Sequence, residues 1–83
     1  MDIIDVYVIY DKKKYKREDI IKDLREEGYT HNFFISELIS GSVAPEHFSA
    51  MKNADEVWLF GDCDQYQDYK LARELGKDVW IMK

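Results

Sequence analysis

Residues 3–10 read Ile3-Ile4-Asp5-Val6-Tyr7-Val8-Ile9-Tyr10, and this stretch decides the fold. Apolar side chains stand at both odd and even positions, so a strand built from them is apolar on both faces. Such a strand belongs in the middle of a parallel sheet, covered by helices above and below. A parallel neighbour needs a crossover of a dozen or more residues, usually a helix, and the sequence that follows supplies one. Arg17 to Glu27 carries Ile20, Ile21 and Leu24 at helical spacing, with Gly28 as its stop.

The alternation continues toward the carboxyl end. Tyr29 to Ser36, centred on His31-Asn32-Phe33-Phe34-Ile35, reads as a short aromatic strand, although Phe34, Leu38 and Ile39 also suit a helical turn. Ser40-Gly41-Ser42-Val43-Ala44-Pro45 is a break, and Pro45 fits the first turn of a helix that ends near Asn53 with Phe48 and Met51 on one side. Asp55 to Phe60 holds a second buried strand, Val-Trp-Leu-Phe, and Gly61-Asp62-Cys63-Asp64 turns the chain. Asp64 and Gln67 have capping-box spacing. The helix they open runs to Leu75, with Leu71, Ala72 and Leu75 inward and Gly76 as its stop, and Asp78 to Met82 closes as a strand. Trp58, Trp80, Phe33, Phe34 and Phe60 fall inside strands and are expected in the core. The order β-α-β-α-β-α-β with short links predicts right-handed crossovers and one three-layer α/β domain over residues 1–83. Its four-stranded parallel sheet is expected in the order 2-1-3-4, flavodoxin-like or Rossmann-like.

Composition narrows the function. An apolar content of 46% excludes a disordered chain. The net charge of −5 argues against a nucleic-acid-coating protein, which needs a basic face to release counterions. The charge is uneven: Lys12 to Arg17 (KKKYKR) carries +5, and the other 77 residues carry −10. Cys63 is the single cysteine, which rules out an internal disulfide and a cysteine-based zinc site. No apolar run approaches the ~20 residues that cross a bilayer, and no leader pattern is present, so the expectation is a cytoplasmic protein with no membrane contact. A four-stranded parallel sheet has two open edges, which a homodimer would cover.

In folds of this kind ligands bind beyond the carboxyl ends of the strands, where the strand order reverses. That places Tyr10, Asp11, Lys12, Lys13 and Lys14 on one side of a crevice and Gly61, Asp62, Asp64 and Tyr66 on the other, with Gly41 and Ser42 as a third wall. The turn Asp11-Lys12-Lys13-Lys14-Tyr15 has no glycine, which disfavours NAD or FAD, whose pyrophosphate needs close backbone approach. The lysines suit a phosphate as point charges, or a solvated loop. Asp62, Asp64, Asp68 and Asp11 suit magnesium; alternatively Asp64 caps the helix and Asp68 faces water. No other cofactor is called for. Cys63, between two aspartates, reads as a buried thiol rather than a nucleophile. His31 and His47 carry no motif and read as surface or packing residues. Tyr66 and Tyr69, with Tyr7 and Tyr10, either stack a base or sugar or cover the sheet.

Two further stretches carry a family resemblance: Ala54-Asp55-Glu56-Val57-Trp58-Leu59-Phe60 and Leu71-Ala72-Arg73-Glu74-Leu75-Gly76-Lys77, with Val6-Tyr7-Val8 as opening strand. The sequence resembles the nucleoside 2-deoxyribosyltransferase-like superfamily over roughly half its length. In that family a glutamate four residues before the helix alanine displaces the base from the sugar, and position 68 matches it with Asp68, shorter by one methylene. The family's Ser/Gly turn is replaced by Cys63-Asp64-Gln65-Tyr66, and its Gly-Pro after the first strand is absent. The resemblance implies a binding domain for a nucleoside- or nucleotide-type metabolite without full catalytic activity. Asp68 and Asp62 would hold sugar hydroxyls, Lys12, Lys13 and Lys14 would meet phosphate, and Tyr66 or Tyr10 would stack the base. The alternatives are an active N-glycosidase or transferase using Asp68 and a compact acidic protein-interaction or inhibitor protein.

Overall fold

The computed structural model describes residues 3–36 and 44–82. Its elements are β1 (Asp5–Tyr10), α1 (Arg17–Glu26), β2 (Asn32–Ile35), α2 (Pro45–Asn53), β3 (Glu56–Phe60), α3 (Gln67–Glu74) and β4 (Asp78–Ile81). All pairings are parallel and the sheet order is β2-β1-β3-β4, as the alternation predicts. Among the described residues no helix is long and apolar enough to cross a membrane.

β1 is the central strand, and its two-sided apolar pattern becomes two cores. Tyr7 and Ile9 pack with Val57, Leu59, Met51, Ala54, Cys63 and Ala72 on the face carrying α2 and α3. Val6, Val8 and Tyr10 pack with Trp58, Phe60, Ile20 and Leu24 on the face carrying α1. Every β1 side chain from Val6 to Tyr10 is buried, and each contributes roughly 1.5–3 kcal/mol by leaving water.

The helix ends explain most boundary differences. The Asp19 carboxylate accepts the Lys16 N–H at 3.0 Å and starts α1. Gly28, at φ 75°, ends it, and Tyr29 N–H returns to Leu24 O, so Tyr29 belongs to the helix cap and β2 begins later than its aromatic run suggests. Phe34 lies in that strand, whereas Leu38 and Ile39 fall outside the described residues. Pro45 opens α2 as expected, and the Lys77 ammonium holds the far end of that helix by donating to Lys52 O and Ala54 O, each at 2.8 Å.

Three expectations are corrected. Asp64 does not cap α3; the Tyr66 N–H bonds Cys63 O at 3.0 Å, which inserts a further turn and makes Tyr66 the N-cap. Leu75 is exposed rather than inward, and of the pair Phe48 and Met51 only Met51 is buried. Trp80 is 55% exposed, not core, because β4 is an edge strand and α1 lies over β1 rather than β4.

Candidate functional site

The sheet reverses direction around β1, with β2 on one side and β3 on the other. Side chains from β1, from the end of β2 and from α2 converge there on a buried carboxylate of α3. Asp68, in the first turn of α3, is 3% exposed. The expectation that it faces water is overturned, because α3 turns that side of its first turn toward the sheet. The Tyr7 hydroxyl donates to Asp68 Oδ2 at 2.6 Å, and the Ser36 hydroxyl donates to the same oxygen. Neither bond engages Oδ1.

Tyr7 has one hydroxyl proton, and it points to Asp68. The 3.0 Å contact between the Tyr7 oxygen and His47 Nδ1 therefore has the imidazole N–H as donor. His47 comes from the first turn of α2, with its ring edge-on to Phe34 at 5.1 Å and its Nδ1 3.9 Å from Asp68 Oδ2. The chain of donors runs from His47 through Tyr7 to Asp68, joined by Ser36 at the end of β2. Burial first, then the hydrogen bond and charge of Asp68, push the Tyr7 phenol far above its ordinary range, so it stays a donor.

Asp68 also lines a small pocket, about 180 Å³ of empty space including its mouth, together with Ile9, Tyr10, Lys12, Ser36 and Tyr66. Lys12 is positioned there twice. Its backbone N–H donates to the Tyr66 hydroxyl at 3.1 Å, and its ammonium lies 5.9 Å from the Tyr10 ring centroid and 5.8 Å from that of Tyr66. Both contacts are within cation–π range.

Of the residues singled out in the sequence, Tyr10, Lys12, Tyr66 and Asp68 come together. Asp11 adjoins them: its carboxylate accepts the Lys13 N–H at 3.0 Å and, at 3.5 Å, the Tyr66 hydroxyl, and its backbone closes the turn to Lys14 and Tyr15. Lys13, Lys14, Asp62 and Asp64 are exposed and do not line the pocket. Gly61 serves the turn itself. At φ 87° it packs so close that a Cβ would stand 2.8 Å from Asp11 Cβ. Gly41 and Ser42 lie outside the described residues. Among the described residues, no three His, Cys, Asp or Glu side chains are grouped to hold a metal ion. Cys63 is buried, and burial followed by the charges of Asp11 and Asp62 pushes its thiol up to about 12.

Sequence reasoning missed the hydrogen-bonding roles of Tyr7, Ser36 and His47. The available signal was a polar tip on an otherwise apolar inward-facing parity: Tyr7 at a central position of β1, and a serine just beyond β2. Comparison of the chain with family models, with curated proteins and with solved structures finds no match.

Proposed function

We propose that the protein binds a nucleoside- or nucleotide-type metabolite, with the sugar at Asp68. The observation that carries this reading is a buried carboxylate lining a pocket while two hydroxyl donors occupy only one of its oxygens. A carboxylate oriented in this way is an acceptor for sugar hydroxyls, and its cost of burial is met by Tyr7 and Ser36 before any ligand arrives. The enclosed part of the pocket is no larger than a water molecule, so sugar and base would lie at its mouth, with the base against Tyr66. Lys12 supplies a cation for a phosphate. The resemblance to nucleoside 2-deoxyribosyltransferases supports the same ligand class.

A thermal-shift and calorimetric panel of nucleosides, their phosphates and ADP-ribose-type compounds tests the proposal. One class is expected to raise the melting temperature, and the isosteric Asp68→Asn variant is expected to lose that response. A panel without any stabilisation would sink the reading.

The orientation of Asp68 by two hydroxyls also favours a second reading, glycosyl transfer. In it, a carboxylate oxygen of Asp68 attacks the anomeric carbon, the carbon–nitrogen bond breaks, and the base leaves with the electron pair and takes up a proton. Water then cleaves the glycosyl ester. Incubation with deoxynucleosides and chromatographic search for free base decides it: release must occur and must vanish in Asp68→Ala.

A further inference from the structure

On the opposite side of the sheet from Asp68, α1 packs over β1 and β3 and leaves that face of the edge strand β4 without a helix. Strand alternation assigns that face. Val57 and Val79 belong to the α2/α3 core, so Glu56, Trp58, Phe60, Asp78, Trp80 and Met82 point the other way. Trp58 and Phe60 are buried beneath neighbouring side chains, but Trp80 remains 55% exposed. Between α1 and the carboxyl ends of β3 and β4 runs a groove of about 210 Å³ lined by Asp23, Leu24, Glu27, Tyr29, Phe60 and Met82. Among the described residues its lining includes two carboxylates and no basic side chain. At the amino ends of β3 and β4, Glu56 and Asp78 stand opposite each other in register and extend the acidic border.

An apolar floor with acids on two borders has a defined complement. We infer that this face docks an amphipathic helix of another protein, apolar on one side and rich in Lys or Arg along its flanks, lying beside α1 in the place where a doubly wound fold would carry another helix. The mode is helix-in-groove recognition: the apolar floor provides binding energy, and the acidic borders select charge and orientation. A second copy of this chain fits poorly, because face-to-face packing would set the same four carboxylates against themselves.

The test uses the full chain and a peptide of about 18 residues, long enough to be helical, with leucine and lysine at amphipathic spacing. A matched peptide with glutamate in place of lysine is the control. Binding is read by calorimetry and by tryptophan fluorescence, since Trp80 is the exposed one of the two tryptophans. The lysine peptide is expected to bind and shift the emission to the blue, and the glutamate peptide is expected not to bind. Trp80→Ser and the pair Glu27→Lys/Asp78→Lys should each weaken binding about tenfold or more, a loss of ~1.4 kcal/mol. The pair Glu46→Lys/Glu74→Lys, on the other helices, should change it less than about twofold. Asp68→Asn should leave it unchanged, which separates this site from the metabolite pocket. The inference is overturned if the lysine peptide does not bind, or if the two charge-reversal pairs weaken it equally. A free chain that sediments as a dimer, and that Trp80→Ser converts to monomer, would overturn it in favour of self-association.

Discussion

The Tyr7 hydroxyl lies 2.6 Å from Asp68 Oδ2, joining the middle of the first strand to the last helix across 61 positions of sequence. The bond ties the central strand to the element that carries the candidate site, so the chemistry of the pocket and the stability of the fold share one contact. Charged hydrogen bonds of this kind, in a water-poor setting, are the ones whose loss is most costly.

Tyr7→Phe keeps the buried ring and its stack on Phe34 but removes the donor. Asp68 then keeps Ser36 alone as hydroxyl donor, and the His47 N–H loses its acceptor. The expected loss is ~1.5–3 kcal/mol, the range for a hydrogen bond to a charged group. Urea unfolding of the variant beside the native protein measures it. An unchanged free energy would mean that water replaces the phenol without cost.

The same phenol predicts an alkaline weakness. Burial and Asp68 raise the Tyr7 pKa in the folded protein, whereas the unfolded chain releases this proton near its ordinary value of about 10. Stability from this group is therefore intact below about pH 10 and declines above it, by up to ~1.4 kcal/mol per pH unit. Tyr7→Phe lacks this term, so the two unfolding free energies should converge as pH rises beyond 10. Parallel curves over that interval would contradict the assignment.

Cys63 is expected to be inert in the folded protein. Its thiol is buried, donates weakly to Phe60 O at 3.7 Å, and is pushed up to about 12. The reactive thiolate is thus scarce at pH 8. An aromatic disulfide reagent should label the folded chain only as fast as it opens, and the chain in guanidinium at once. Rapid stoichiometric labelling of the folded protein would show that the thiol is accessible and ionised.

Gly61→Ala should be among the more damaging single-methyl changes in this chain. The residue is at φ 87°, where a side chain costs ~1–2 kcal/mol, and the added carbon would meet Asp11 Cβ at 2.8 Å and Tyr15 at 3.2 Å. Asp11 Cβ is fixed by its own backbone, so the Asp11–Tyr15 turn must move, and Lys12 moves with it. Thermal unfolding should show a destabilisation of ~2 kcal/mol or more. A variant of native stability would mean that the turn relaxes freely.

Several elements were legible without coordinates because their signals are local. Both-parity apolar patterning in Val6–Tyr10 identified the central strand, and Gly28, Pro45 and Gly76 marked helix ends at or within a residue or so of their places. The errors came from context. The spacing of Asp64 and Gln67 is a genuine capping signal, but a competing turn at Cys63–Tyr66 consumed the residues that would have formed the cap. Trp80 has the composition of a core residue, yet its burial depends on whether another element lies above β4.

The sequence by itself determined the class: an alternating α/β chain, a parallel sheet and its strand order. These follow from hydrophobic periodicity and the handedness of crossovers, which need only neighbours along the chain. Tertiary structure alone decided that Asp68 is buried, that Tyr7, Ser36 and His47 gather around it from three other elements, and that Lys12 rather than Lys13 or Lys14 lines the pocket. Those partners lie between 21 and 61 positions from Asp68. At such separations no local periodicity records a contact; only the packing of the helices on the sheet creates it.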